Sequence, residues 1–103
     1  MASQPPKSGI TVVFARAVAK PGKGDELENL LQHAVASANS DKEPFTLDYR
    51  CARHGDEFRL FERYNQDIGG IDAHKSQPAF QNLVKSGLVA DIEIKFYNEI
   101  PKL

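Results

Sequence analysis

The sequence lacks tryptophan, has a single cysteine and contains no long apolar run. Cys51 has no partner for an internal disulfide bond, and the three histidines are too scattered to indicate a metal site. The longest mostly apolar stretch, residues 10–19, includes Arg16 and is far shorter than the ~20 residues of a membrane-spanning helix. With 13 basic and 14 acidic side chains, the chain also lacks the basic excess that nucleic acids and anionic membranes normally require. We therefore expect a small domain with no nucleic-acid partner and no membrane partner.

The two ends of the chain carry little structural signal. Residues 1–9 have no hydrophobic period, and Pro5 and Pro6 lack backbone donors, so we predict a disordered N-terminal tail before one domain at residues 10–100. No apolar core of a secretory signal follows the first lysine, which predicts a cytoplasmic protein. The last three residues, Pro-Lys-Leu, are a weak match to the Ser-Lys-Leu peroxisomal signal.

Periodicity divides the domain into strands and helices. Residues 10–19 favour a strand that is apolar on both faces, as in strands covered on two sides. The following helix has a capping box, in which Asp25 caps the helix and Glu28 reaches back to the cap. The remaining predicted elements are a hairpin of strands at 46–53 and 57–64, short helices at about 67–75 and 76–87, and a last strand at 91–97.

This element order predicts an α+β fold of the ferredoxin-like, split-βαβ type. Its four-stranded antiparallel sheet carries the helices on one face. A domain of this size buries a modest share of its surface, so an apolar second face needs a cover. The simplest cover is the same face of a second subunit across a two-fold axis, and we therefore expect a homodimer.

Two charged residues lie among apolar residues of the predicted strands. Glu62 shares a face of its predicted strand with Phe58, Leu60 and Tyr64, and a carboxylate in that position needs a partner or a raised pKa. Arg16 has a similar position in the first strand. One interpretation is a structural Arg16–Glu62 ion pair; the other is that either side chain points into a pocket.

His74 is the one histidine whose position predicts an inward side chain, whereas His33 and His54 are expected in solvent. His74 is either a helix-end residue bonded to backbone carbonyls or a base or hydrogen-bond donor in a pocket. The aromatic residues either form ordinary core or line a cavity for a flat apolar ligand. Those considered for a cavity are Phe14, Tyr49, Phe61, Tyr64 and Phe80.

Several segments together resemble the antibiotic biosynthesis monooxygenase family of dimeric α+β barrels. The likeness extends over about residues 10–97. It implies a homodimer with a ligand pocket between sheet and helices, and a monooxygenase that oxidises a small lipophilic aromatic, quinol or secondary metabolite with O2. It also implies that metal, flavin and haem are absent, so no cofactor is expected. The segments are residues 19–24 (AKPGKG), 47–50 (LDYR), 60–64 (LFERY) and 72–80 (DAHKSQPAF).

The resemblance also assigns roles to individual residues. His74 would be the catalytic base or an orienting donor, and Glu62 its partner or a polar group of the pocket. Haem breakdown is disfavoured, because the positions aligned with the Asn, Trp and His of haem-degrading relatives hold Ala15, His74 and Val84. Alternatives on the same fold are a non-catalytic ligand-binding or stress-response dimer, an isomerase or a cyclase. The implied substrate-binding residues are Phe14, Arg16, Tyr49, Phe61, Tyr64 and Phe80.

Overall fold

A computed structural model describes residues 4–103 of the chain. It contains four strands: β1 Ile10–Ala19, β2 Thr46–His54, β3 Glu57–Asn65 and β4 Val89–Asn98. Its helices are α1 Gly24–Ala38, α2 Gly70–Lys75 and α3 Pro78–Lys85, with a 3₁₀ turn at Gln66–Ile68 before α2. The strands form one antiparallel sheet in the order β2-β3-β1-β4, and the buried core lies between this sheet and the helices. The predicted α+β, ferredoxin-like fold with helices on one face is therefore confirmed.

The central strand β1 is apolar on both faces, as predicted. Val13 lies opposite Glu62 of β3, and this register turns Val13 and the alternate residues of β1 toward the helices. The side chains in between, among them Phe14 and Arg16, point to the face that carries no helix, which we call the open face. Three of the helix-facing residues are alanines, and their small side chains leave space between sheet and helices. They are Ala15, Ala17 and Ala19.

The predicted capping box of α1 is wrong. The helix begins at Gly24, Lys23 occupies the N-cap, and no side chain caps it. Asp25 and Glu28 instead both accept hydrogen bonds from Arg53 Nη1 of β2, at 2.9 and 3.1 Å. A guanidinium from another element thus attracts the two carboxylates that the local pattern assigned to the helix amides.

The segment from Gln66 to Lys75 is broken rather than one helix, because two glycines with positive φ interrupt it. Gly69 has φ +110° and Gly70 has φ +44°, which starts α2 in a new direction. The Gln66 side chain braces this junction: its Oε1 accepts from the Ile71 amide at 2.8 Å, and its Nε2 donates to the Pro6 carbonyl at 2.6 Å. The junction therefore fixes how α2 presents its inward residues to the core.

Residues of the predicted N-terminal tail make contacts with this junction. The Gly9 amide donates to the Asp67 carboxylate at 3.0 Å, and Gly9 also accepts from the Gln66 amide at 2.9 Å. Residues 1–3 of the predicted tail lie outside the described residues. Within the described part, no helix is long and apolar enough to cross a membrane.

Candidate active site

Glu62 is buried on the helix-facing side of β3. Its register neighbours are Val13 of β1 and Tyr49 of β2, and the hydroxyl of Tyr64 donates a hydrogen bond to its carboxylate. Burial raises the pKa of the Glu62 carboxyl to about 7, although the hydrogen bond from Tyr64 works in the opposite direction. The carboxylate is thus poised to exchange a proton near neutral pH.

The Arg16–Glu62 ion pair considered above does not form. Arg16 projects to the open face, where its guanidinium lies 3.2 Å from Glu57 and 3.3 Å from Asp91. The pairing of β1 with β3 places Val13 opposite Glu62 and Arg16 opposite Arg59, three residues further along each strand. The two charged residues therefore lie on opposite sides of the sheet.

A cavity of about 330 Å³ lies between the sheet and the helices. Glu62 supplies the one carboxylate of its wall, and Tyr49 supplies a phenol. The other wall residues are apolar or glycine: Ala15, Ala17, Leu27, Leu31, Leu60, Phe80, Leu83, Val84, Gly87, Val89, Ile92 and Ile94. Val84, Ile92 and Ile94 are exposed, so the cavity opens between α3 and the edge strand β4. The hollow is therefore an apolar chamber with one ionisable carboxylate, and it is large enough for a small organic molecule.

His74 lies one layer behind this wall, on α2. It is 3% exposed, and its ring centroid is 5.1 Å from that of Tyr49, 5.3 Å from that of Tyr64 and 5.4 Å from that of Phe80. Its Nδ1 is 2.6 Å from a carboxylate oxygen of Glu43. The interpretation of His74 as a helix-end residue bonded to backbone carbonyls is therefore wrong. The side chain is inward, as predicted, but it contacts wall residues and does not itself line the cavity.

Glu43 is the site residue that the sequence did not reveal. It lies in the loop between α1 and β2, is 1% exposed, and accepts hydrogen bonds from Ser37 Oγ at 2.6 Å and Thr46 Oγ1 at 2.9 Å. A loop has no period that separates inward from outward side chains, so the sequence pattern does not predict that Glu43 is buried. The buried Phe45, which follows shortly after, was the one available hint that this loop packs inward.

The six predicted substrate-binding residues fall into two groups. Tyr49, Tyr64 and Phe80 surround His74 on the helix side of the sheet. The other three are Phe14, Arg16 and Phe61 on the open face, where the ring of Phe14 is 5.4 Å from those of Phe61 and Tyr97. Of the six, Tyr49 and Phe80 line the cavity, so a ligand there can contact these two, whereas Tyr64 is fully buried.

The remaining candidate groups lie away from the site. His33 and His54 are exposed, as expected. Cys51 is half-buried on β2, and burial raises the pKa of its thiol, which disfavours the reactive thiolate. No three metal-ligating side chains come together within residues 4–103.

No protein-family model matches the sequence, and no curated protein matches it significantly. Solved structures do match: Rv0793 from Mycobacterium tuberculosis is 22% identical, with 91% of this chain and 98% of that chain covered and a TM-score of 0.78. PA3566 from Pseudomonas aeruginosa is also 22% identical, with 93% and 99% covered and a TM-score of 0.78. A structure named antibiotic biosynthesis monooxygenase is 21% identical, with 88% and 99% covered and a TM-score of 0.75. The chain has the fold of these proteins.

The chemistry available in this fold follows from the burial of its polar groups. Burial raises the pKa of Tyr49 and of Tyr64, so both phenols stay protonated and act as hydrogen-bond donors at neutral pH. Glu62 is then the wall residue that can gain or lose a proton near pH 7. An apolar chamber with one such carboxylate is suited to removing a proton from a phenol or an enol.

Proposed function

We propose that this protein is a monooxygenase that oxidises a small lipophilic aromatic or quinol-like substrate with O2 and needs no cofactor. The observation that carries the proposal is the apolar cavity of about 330 Å³ with Glu62 as its one carboxylate. Several solved structures with this fold carry the name antibiotic biosynthesis monooxygenase, which supports the same reaction class.

The wall chemistry favours a flat substrate with one hydroxyl or enolisable carbonyl. Leucine, isoleucine and valine side chains cover most of the wall and favour apolar rings. Tyr49 and Glu62 face each other on neighbouring strands, so a hydroxyl placed between them has both a donor and an acceptor. A substrate without such a group would leave these two polar groups unpaired and would bind less well.

In the proposed reaction the substrate supplies the reducing electrons. Glu62, as carboxylate, removes the proton of the phenol or enol, and the resulting anion transfers one electron to O2. The superoxide and the substrate radical then combine, and loss of one water from the peroxide leaves a carbonyl. The net change converts a CH2 group and O2 into C=O and water, and Glu62 returns its proton in the last step.

We assign Glu62 the role of base and His74 the role of an orienting residue. Glu62 lines the cavity. His74 does not, but its ring contacts Tyr49 and Phe80, which do. The apolar surroundings exclude water, which would otherwise solvate the substrate anion and compete for the base.

The proposal is tested by O2 consumption with anthrone and with 1,4-naphthohydroquinone, each corrected for its rate without protein. The wild-type protein should accelerate O2 uptake with at least one of them, and the product should carry one oxygen atom from ¹⁸O2. Glu62→Gln and His74→Ala should lower the rate, while Glu93→Gln, an exposed carboxylate of β4, should not. No acceleration with either compound, or turnover that persists without O2, would contradict an oxygenase and favour a binding protein or an isomerase.

We also propose that the protein is a homodimer that pairs through the open face of the sheet. Phe14 is 50% exposed there and packs edge-on against Phe61 and Tyr97. The salt bridges of Arg16 and Arg63 flank this aromatic cluster. An apolar centre with a charged rim is the usual composition of a protein interface.

A further inference from the structure

The proposed reaction leaves one buried pair unexplained, His74 and Glu43. Among residues 4–103, His74 Nε2 is the one buried side-chain nitrogen or oxygen without a hydrogen-bond partner. Buried polar atoms are normally paired, and an unpaired one in a native fold calls for a functional explanation. The other ring nitrogen, Nδ1, contacts Glu43 at 2.6 Å, so Nε2 points away from Glu43.

Glu43 is held firmly in place for this contact. Ser37 Oγ donates to one of its carboxylate oxygens, and Thr46 Oγ1 and His74 Nδ1 lie at hydrogen-bond distance from the other. The backbone of the loop is also fixed, because the Glu43 amide donates to Ser40 O at 3.2 Å and the Thr46 amide donates to Glu43 O at 3.0 Å. The carboxylate therefore cannot turn away from the imidazole without breaking several hydrogen bonds.

These contacts determine where the ring proton of His74 resides. A carboxylate accepts hydrogen bonds and does not donate them, and two hydroxyl donors already stabilise the charge of Glu43. The group facing it must then be an N–H, which places the proton on Nδ1. A carboxylate that accepts Nδ1–H selects the tautomer in which Nε2 keeps its lone pair.

We infer that Glu43 is a positioning residue: it holds the proton of His74 on Nδ1 and leaves Nε2 unprotonated behind the cavity wall. The rings of Tyr49 and Phe80 contact His74 and also line the cavity, so the imidazole is one side chain away from the ligand space. The effect of this pair on turnover rests on the proposed function, whereas the tautomer does not.

The tautomer can be measured without any substrate. In ¹⁵N-labelled full-length protein at pH 8, long-range ¹H–¹⁵N correlation spectra distinguish protonated from unprotonated ring nitrogens, and His74→Gln assigns the signals. We expect Nδ1 protonated and Nε2 unprotonated in the wild type. In Glu43→Gln, a neutral amide accepts more weakly than a carboxylate, so the fraction protonated on Nε2 should rise.

Ser37→Ala is the matched control. It removes one hydrogen bond to Glu43 but leaves the contact with His74, so the tautomer should stay as in the wild type. A wild-type ring protonated on Nε2, or equal tautomer ratios in Glu43→Gln and the wild type, would overturn the inference. With an active substrate, Glu43→Gln should lower kcat while KM changes little. If the wild type has no oxygenase activity while the tautomer is as expected, the proposed function fails and the positioning role of Glu43 stands.

Discussion

At the scale of single residues, Glu62 combines burial with an ionisable carboxyl group. The folded state raises the pKa of its carboxyl from 4.5 to about 7, mainly because burial removes water from the charged form. Between these two pH values the folded protein binds more protons than the unfolded chain. The contribution of Glu62 to stability is therefore fully present below pH ~4.5 and is lost as the pH rises through 7.

Replacing Glu62 by Gln should remove this loss of stability. Gln has nearly the same shape, can still accept from Tyr64 and carries no charge. At pH 8 the variant should be more stable than the wild type by up to about 3 kcal/mol, whereas at pH 4 the two should be nearly equal. Urea unfolding at both pH values measures the difference, and an equal effect of the substitution at pH 4 and pH 8 would contradict it.

Tyr64→Phe should move the pKa of Glu62 in a defined direction. The Tyr64 hydroxyl stabilises the Glu62 carboxylate, so its removal should raise the pKa of Glu62 above its wild-type value. A titration of the side-chain carboxyl by ¹³C NMR follows this directly. Tyr97→Phe on the open face is the control and should leave the titration unchanged; a downward shift in Tyr64→Phe would refute the assigned hydrogen bond.

At the scale of elements, the junction before α2 decides where His74 lies. A methyl group on Gly70 would overlap the Gln66 amide and approach the Asn65 carbonyl, and φ there is +44°. Gly22 also has a positive φ, +75°, but no atom lies within 4 Å of the position of a Cβ. Gly22→Ala should therefore cost only the backbone strain, about 1–2 kcal/mol.

Gly70→Ala should lower the free energy of unfolding more than Gly22→Ala does. The new methyl group displaces the Gln66 side chain, which then loses its hydrogen bonds to the Ile71 amide and the Pro6 carbonyl. We expect a loss of stability at least about 2 kcal/mol larger than in Gly22→Ala. Chemical unfolding of the two variants under identical conditions gives the comparison. Equal losses would mean that the junction tolerates a side chain and that Gln66 is not a brace.

Within the elements, the sequence predicts the bounds of a strand and the alternation of its side chains, but not how two strands are aligned. Strand β1 has the predicted bounds, and the alternation around Glu62 correctly predicted a carboxylate among apolar residues, because side chains alternate along any strand. The face of Arg16 relative to Glu62 could not be predicted, since both faces of β1 are apolar and only the register between strands distinguishes them.

The other errors share this cause. The capping box failed because Arg53, from a distant strand, competes for Asp25 and Glu28. Glu43 was missed because its partner His74 is 31 residues away and its loop has no period. A local pattern specifies local structure, whereas these contacts depend on which elements meet in space.

At the scale of the whole molecule, the open face of the sheet carries aromatic side chains that the described chain leaves exposed. Phe14 lies near its centre, between Phe61 on β3 and Tyr97 on β4. A contiguous aromatic surface of this kind in a small protein is a candidate interface. A second copy that presents the same face would bury all three rings in both subunits, which is the arrangement of an isologous dimer.

Phe14→Asp tests the homodimer, because a charge at the centre of a self-complementary interface meets its own copy across the two-fold axis. Ile68→Asp is the control: Ile68 is 56% exposed, comparable with 50% for Phe14, but lies in the 3₁₀ turn away from the open face. In sedimentation velocity at micromolar concentration, the wild type and Ile68→Asp should sediment as dimers and Phe14→Asp as an 11.4 kDa monomer. A folded wild-type monomer would refute the interface, and so would a dimer that survives in Phe14→Asp.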